Sequence, residues 1–347
     1  MNKLVSVIIP TYNDQLTINK AVDSALNQTY LNVEIIIIDD GSTDSTSIIL
    51  KKFYENIDKI TVITQSNSGV ATARNNGLAI SKGEYILFLD ADDWLDTEYI
   101  ERLILEAEKN SSDLVMCGWR LYKQHKSDLV KIGSTNNEYF YSENTNLIRR
   151  KFTDLFINGY AHGPIGKLFK KSILIDNAIT FPNIRRSEDI FFNIDYMENV
   201  NKMSIIEDRL YNIRIVNAYE KIKRKNDTAH LKALDAHFNT IIAIQDRMSR
   251  FMIKWNIDKV QLFRVNGVIY DLIINHLTHV IYSSKGDIVK NVDSIINNDL
   301  TIYISKNSTL NGVYRRITNK MIALKMKRTL ILLIKMKQLI KRVIKKN

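Results

Sequence analysis

Five short apolar runs, at residues 5–10, 33–38, 60–64, 85–89 and 114–117, constrain what the first third of this chain can fold into. Each has the length of a strand and is apolar on both faces. Between them lie stretches of helical spacing, such as Leu16, Ala21, Val22, Ala25 and Leu26 within 14–27. Further helices are expected to begin at 45–53 and to run over 70–80, with Gly83 as the stop, and over 97–109. Near-continuous apolar strands alternating with helices require an α/β architecture, a mainly parallel sheet covered on both faces.

Two of the runs end in carboxylates. Asp39 and Asp40 begin the sequence Asp39-Asp40-Gly41-Ser42-Thr43-Asp44, and the run 85–89 leads into Asp90-Ala91-Asp92-Asp93. A third acidic pair, Glu188-Asp189, follows Ser187. The carboxyl ends of neighbouring parallel strands converge on one crevice, where open α/β sheets bind ligands. A crevice so acidic repels a diphosphate unless a divalent cation bridges the charges. Asp90 and Asp92 share one side of an extended segment, so one can hold a ribose or a metal-bound water while the other binds the metal. Mn2+ or Mg2+ suits such oxygen ligands, with a diphosphate completing the shell. The pattern points to a nucleotide-diphosphate substrate.

Plainer readings stand beside these. Ser42, Thr43 and Asp44 can cap the next helix, the 90–93 loop can lead into a helix capped at Thr97, and Ser187 can cap a helix whose first turn favours acids. Pro10-Thr11-Tyr12-Asn13 closes the first run. Proline is expected to end the ladder there. Tyr12 can stack on a flat base and Thr11 can bond to one, or the segment is an ordinary turn with Asn13 capping the following helix.

Taken together, Pro10-Thr11-Tyr12-Asn13, Asp39-Asp40-Gly41-Ser42-Thr43-Asp44, Ser68-Gly69-Val70-Ala71-Thr72-Ala73-Arg74-Asn75 and Asp90-Ala91-Asp92-Asp93 resemble the family 2 glycosyltransferases in order and spacing across residues 5 to about 95. The resemblance implies an A-type glycosyltransferase fold, a nucleotide-sugar donor, a divalent metal and inversion at the anomeric carbon. It implies that Pro10, Thr11, Tyr12 and Asn13 surround the base and ribose, that Asp40 meets a uracil ring and that Arg74 lies near the nucleotide. It puts Asp90 and Ala91 beside the ribose and donor sugar, Asp92 on the metal, and Asp39 in support of its loop. Glu188-Asp189 resembles the family's Glu-Asp pair, which implies Asp189 as general base and Glu188 as the group that orients the acceptor or tunes the base. Residues 162–171, His162-Gly163-Pro164-Ile165-Gly166-Lys167-Leu168-Phe169-Lys170-Lys171, resemble a stretch of capsule and exopolysaccharide members and are expected on the acceptor side. There Lys167 reads equally as a donor-phosphate contact or a solvated loop lysine, and His162 as structural. The Gln-x-x-Arg-Trp motif of processive members is not composed by Gln245-Asp246-Arg247-Met248 or Lys254-Trp255, so transfer of one residue per encounter is expected.

After residue 147 helical patterns dominate, including 233–251 and 260–281, whereas 119–146 is polar and shows no clear period. The expected organisation is a donor-binding α/β region at 1–118, an acceptor-side region at 119–225, and a helical extension at 226–347 that suits either a homodimer or a cover for the catalytic region. The chain has 347 residues and a net charge of +11, but residues 300–347 hold thirteen Lys and Arg and no acid, which leaves −2 for residues 1–299. Within 313–347, Val313, Ile317, Met321, Leu324, Met336, Ile340, Val343 and Ile344 recur at helical spacing among those cations. A basic helix with an apolar face can lie in an anionic membrane interface or pack on the protein. Nucleic acid is disfavoured, since no binding motif accompanies the charge.

The lone Cys117 reads as a buried thiol. No apolar run has the length of a signal core or a spanning helix. The expected location is therefore cytoplasmic, peripheral on the inner face of the cell membrane, with a lipid-linked, glycan or polyol-phosphate acceptor. Two rival readings are a nucleotidyltransferase, which would show a Gly-rich basic loop that residues 10–15 lack, and a non-catalytic binding protein on the same fold. A nicotinamide dehydrogenase is disfavoured by the missing Gly-x-Gly-x-x-Gly.

Overall fold

The computed structural model describes residues 3–125, 128–135, 137–184, 186–215, 229–283 and 287–344. The chain divides into two compact units, one of residues 1–152 with 161–223, the other of residues 153–160 with 224–347.

The first unit opens with β1 (Val5–Thr11), α1 (Ile18–Leu26), β2 (Val33–Asp39), α2 (Thr46–Phe53), β3 (Ile60–Thr64), α3 (Val70–Ile80) and β4 (Tyr85–Phe88). Then come β5 (Trp94–Leu95), α4 (Tyr99–Asn110), β6 (Leu114–His125), β7 (Asp128–Ser134), β8 (Phe140–Ser142) and α5 (Thr145–Ile157), whose last residues count with the second unit. The series closes with β9 (Lys167–Lys170), α6 (Lys171–Asp176), α7 (Glu188–Met197) and β10 (Met203–Ile215).

Every residue of β1 is buried because both faces of the sheet are covered. Val5, Val7 and Ile9 share a core with Ile18, Ala21 and Val22 of α1 and Leu103 of α4. On the opposite face α3 comes so near that a Cβ on Gly77 would lie 2.5 Å from Ile8 Cγ2; glycine is what permits the approach. The ladder β3-β2-β1-β4 is parallel throughout.

Proline does not end β1, contrary to the expectation. Pro10 and Thr11 still pair with Ile38 and Asp39 of β2, whereas the β4 ladder stops at Ile8↔Phe88. In a parallel strand a residue's N–H and C=O point the same way, and Ile8 O accepts from Leu89 N on the β4 side. The nitrogen of Pro10 therefore faces the edge that β4 has already left, where no donor is required.

The sheet runs β3-β2-β1-β4-β9-β6-β10-β5, with β7 on β6 and β8 on β10. Strand β9 is antiparallel to both β4 and β6, while β6 and β10 are parallel. Strands β7, β8, β9 and β10 lie where the sequence showed no period or a helical one. Most residues of β7 are exposed, and β10 has register shifts between Ile205 and Tyr211. Neither strand keeps the two-residue alternation that marks a half-buried strand.

The second unit is helical: α8 (Ala229–Lys254), α9 (Lys259–Ser283), α10 (Ile288–Ile296), α11 (Asp299–Lys306), α12 (Val313–Ala323) and α13 (Lys327–Ile344). Ile241, Ile244, Met248 and Phe251 give α8 one buried stripe. The tail is not one helix but two, broken where Lys325 takes a φ of 54°. Ile322, Leu330, Ile331 and Ile334 are buried, whereas Val313, Ile317, Leu324 and Met336 are exposed, in company with exposed Arg316, Lys320 and Lys335. Arg315 and Lys327 form ion pairs with Asp271 and Asp293. The side chains of Ile340, Val343 and Ile344 fall outside the described residues. No described helix is long and apolar enough to cross a membrane.

Candidate active site

A cleft of about 260 Å3 opens at the carboxyl ends of β1, β2 and β4. Pro10, Thr11 and Tyr12 line it from the end of β1, and Asp40 from beyond β2. Val70, Ala73 and Arg74 line it from the first turns of α3, and Asp90, Ala91 and Asp92 from the loop after β4. Tyr12 is 45% exposed at the rim, an aromatic face available for stacking. The strand-end convergence expected of the acidic motifs is therefore present.

Asn13 does not line the cleft. It sits at φ 59°, and its side-chain oxygen accepts from Thr43 N (2.7 Å) and Asp44 N (3.2 Å). It braces the 41–44 turn, which its own N–H also joins through Ser42 Oγ at 3.0 Å. In its place the cleft includes Asp14, a residue that sequence reasoning read only as a helix start. Asp14 Oδ2 accepts from Thr11 Oγ1 and Tyr12 N, each at 3.0 Å. It thereby fixes the tyrosine backbone.

The two aspartates after β2 divide their work. Asp39 is fully buried and accepts from Ser42 N (3.0 Å) and the Ser47 hydroxyl, so it supports its loop. Asp40 faces the cleft. Its Oδ1 accepts from Gln65 Nε2 (2.7 Å) and Ser68 N (2.8 Å), and its Oδ2 from Gly69 N (2.8 Å). Those donors at and before the start of α3 fix the direction in which the carboxylate points. Gln65, on the strand-end of β3, carries no sequence signal that would have marked it.

Arg74 links the cleft to the downstream acidic pair. Only 4% of it is exposed. One guanidinium nitrogen lies 2.9 Å from Asp90 Oδ1 and the other 3.1 Å from Glu188 Oε1. The fork geometry of arginine suits such a bridge. Asp189, next to Glu188 in the first turn of α7, has its pKa raised to about 6 by burial and by the Glu188 charge, with Arg74 opposing. Ser187 does not cap α7 through its side chain; its backbone is left-handed, at φ 65°. The helix is seated instead by an aromatic cluster: Phe192 stacks on Phe181 at 3.9 Å and meets Phe88 and Phe169 edge-on. Burial of those rings fixes where the acidic pair points.

The 90–93 loop is anchored from β10, which sequence reasoning missed. Arg214 Nε donates to Asp92 O (3.2 Å) and Arg214 N to Asp93 Oδ1 (2.8 Å), while Tyr211 Oη accepts from Asp90 N (3.2 Å). Burial, then the charges of Asp90 and Asp92, push the Asp93 carboxyl well above the usual range. Asp93 is thus an internal strut rather than a ligand. Among the described residues no three Asp, Glu, His or Cys side chains converge as a closed metal cage. The carboxylates here fit a cation whose remaining ligands come from a bound diphosphate and water.

The segment 162–171 turns into β9. Lys167 is neither solvated nor directed at the cleft: it is 2% exposed and donates to the carbonyls of Gly163 and Ile165.

The profile of Glycosyl transferase family 2 matches residues 6–173. The chain is 32% identical over 223 residues to glycosyltransferase GlyG of Streptococcus pneumoniae, covering 61% of this chain and 70% of that one. The chain belongs to the family 2 glycosyltransferases. It is also 31% identical over 232 residues to the poly(ribitol-phosphate) beta-N-acetylglucosaminyltransferase TarP of Staphylococcus aureus, covering 63% of this chain and 64% of TarP. The crystal structure of S. aureus TarS residues 1–349 in complex with UDP-GlcNAc superposes with a TM-score of 0.66 at 19% identity, over 96% of this chain and 91% of that one. That likeness is one of fold. As a family 2 glycosyltransferase with an A-type α/β fold and a helical C-terminal region, the chain is an enzyme, and the cleft beside Asp90 and Asp92 is its candidate donor site.

Proposed function

We propose that this glycosyltransferase moves one sugar per encounter, with inversion, from a uridine diphosphate sugar to a hydroxyl of a polyol-phosphate, glycan or lipid-linked acceptor in bacterial surface-polysaccharide synthesis. Residues 1–118 serve the donor, 119–225 the acceptor, and 226–347 form the extension. The observation that carries the reading is the Asp90–Arg74–Glu188 bridge, which ties the donor cleft to Asp189. A carboxylate with a pKa near 6 is ionised at neutral pH yet basic enough to take a hydroxyl proton in a transition state. Asp189 removes that proton as the acceptor oxygen bonds to the anomeric carbon, and the bond from that carbon to the diphosphate oxygen breaks on the opposite face. Arg74 keeps Asp90 and Glu188 from repelling each other across the site. Mn2+ or Mg2+ held by Asp92 would act as the Lewis acid for the leaving diphosphate. A uridine nucleotide is supported by the UDP-GlcNAc complex of the similarly folded TarS, and a polyol-phosphate acceptor by the name of TarP.

Calorimetry with uridine, guanosine, cytidine and thymidine diphosphates, in manganese and then in chelator, tests the donor half. Selective, manganese-dependent binding of UDP is expected, weakened at least about tenfold in Asp92→Asn, which lacks the charged metal ligand. Native, manganese-dependent UDP affinity in the variant would remove Asp92 from the metal shell. The transfer half is tested by UDP release from UDP-N-acetylglucosamine and UDP-glucose with poly(ribitol phosphate).

The tail supports an anionic membrane surface as a second partner, and hence a cytoplasmic, peripheral location. Val313, Ile317, Leu324 and Met336 are exposed together with Arg316, Lys320 and Lys335. Each basic group near such a surface contributes about 1 kcal/mol. Replacing Arg316, Lys320 and Lys335 with Gln should weaken binding to phosphatidylserine-rich vesicles about 100-fold. Unchanged co-flotation of the triple variant would exclude the tail as the membrane contact.

A further inference from the structure

Lys167 takes no part in the chemistry above, yet it lies at a depth where an ammonium group needs partners to offset its lost hydration. At 2% exposure it donates to Gly163 O and to Ile165 O (3.4 Å). The turn it grips lies against the base: a Cβ on Gly163 would be 3.9 Å from Asp189 Oδ2. The same turn is tied to β6 through Cys117 N donating to Gly166 O at 3.0 Å. It is tied to α7 through Asn193, whose Nδ2 donates to Asp189 O (2.9 Å) and His162 O (3.5 Å). Residues 162–166 therefore pack beside the Asp189 carboxylate.

We propose that Lys167 is a positioning residue for Asp189: its buried ammonium holds the 163–165 turn against the base carboxylate and places a positive charge behind it. This rests on the reading of Asp189 as the base. The charged groups that shift Asp189 are Glu188 on its own helix, Arg74 of α3 and Asp90 of the β4 loop; Lys167 of β9 is coupled to it in turn, its charged form favoured by Asp189. The Cys117 thiol on β6, pushed up to about 12 by burial, stays neutral. Burial brings Lys167 itself down to about 7, with Asp189 pulling it back toward the charged form. Loss of the lysine therefore leaves two acids and one arginine around the base, and its carboxylate becomes harder to ionise.

The test is the pH profile of UDP release from UDP-N-acetylglucosamine or UDP-glucose with poly(ribitol phosphate), comparing the native enzyme with Lys167→Met. The acid limb of kcat is expected to move up by about one pH unit, so that the rate on that limb falls about tenfold, while UDP affinity by calorimetry stays within about threefold. A folded Lys167→Met with an unmoved acid limb, or one that loses UDP binding along with turnover, overturns the proposal. If near-ultraviolet circular dichroism shows that this variant is unfolded, Gly163→Ala decides. Its added methyl lies in ordinary van der Waals contact with the same carboxylate, 3.9 Å from Asp189 Oδ2, and displaces water from it without touching the lysine, so the limb must again move up. An unmoved limb there overturns the proposal too. Asp189→Asn is measured in parallel. Full activity in it removes the base reading and this inference together, whereas an inactive Asp189→Asn beside an unmoved limb in Lys167→Met sinks the Lys167 role alone.

Discussion

Asp189→Asn should lower kcat by about 10²- to 10⁴-fold, the usual contribution of a positioned base, and leave UDP affinity almost unchanged. The same substitution should make the protein more stable. Burial and Glu188 raise the Asp189 pKa to about 6, so the folded state holds a proton that the unfolded chain has already released between about pH 4 and 6. Stability falls as pH rises through that window and stays lower above it. The penalty at neutral pH is about 3 kcal/mol, from about two units at 1.36 kcal/mol each. An uncharged Asn escapes it. Activity has the opposite dependence, falling about tenfold per unit below pH 6 as the base is protonated. Thermal denaturation and single-turnover rates on one preparation check both signs. A variant that is slow and also less stable would mean that Asp189 is a structural carboxylate.

Arg74→Met should instead destabilise the fold. It leaves Glu188, 6% exposed, and Asp90 facing each other without the guanidinium between them. Stranding one partner of a buried ion pair costs about 3–5 kcal/mol, equivalent to a melting point about 10 °C lower for a unit of this size. Arg74 also lowers the Asp189 pKa, so the variant's acid limb should rise. Lys is a poor substitute, because one ammonium nitrogen cannot replace two guanidinium nitrogens that each meet a different carboxylate. Arg74→Lys should recover the charge effect on the limb but only part of the melting point. A native melting point in Arg74→Met would show that the bridge is not a structural link.

The first hundred residues were legible because their strands are buried on both faces. They appear as uninterrupted apolar runs, and each run stops where the chain leaves the sheet at the cleft. What the sequence concealed has a common physical cause: polar residues whose partners are remote. In β10, Asn212 reaches Asp96 at 2.7 Å and Arg214 reaches the 92–93 backbone and side chain. The strand therefore looks too polar to be central. Lys167 was read as a phosphate contact or a solvated loop residue, since nothing local reveals that carbonyls from the preceding turn will neutralise its burial. Asn13 illustrates the opposite error. Its motif neighbours Thr11 and Tyr12 line the cleft, but one residue further on the backbone turns left-handed and the side chain is spent on the 41–44 turn. Arg74 was expected near the nucleotide and lines the cleft, yet its tie to a residue 114 positions away needed the fold.

Helix α3 unites tasks that are separate in the sequence. Its cap, Gly69, fixes Asp40, which is read as the base-recognition group. Five residues on, Arg74 bridges Asp90 and Glu188, beside the proposed base, and Gly77 wedges the same eleven-residue rod against Ile8 of β1. A rod so pinned cannot yield at one end without moving the other. Discrimination among nucleobases should therefore be felt in turnover as well as in grip. A sugar diphosphate stripped of its base would be a slow donor even at saturation, and the enzyme would guard the fidelity of its donor through speed.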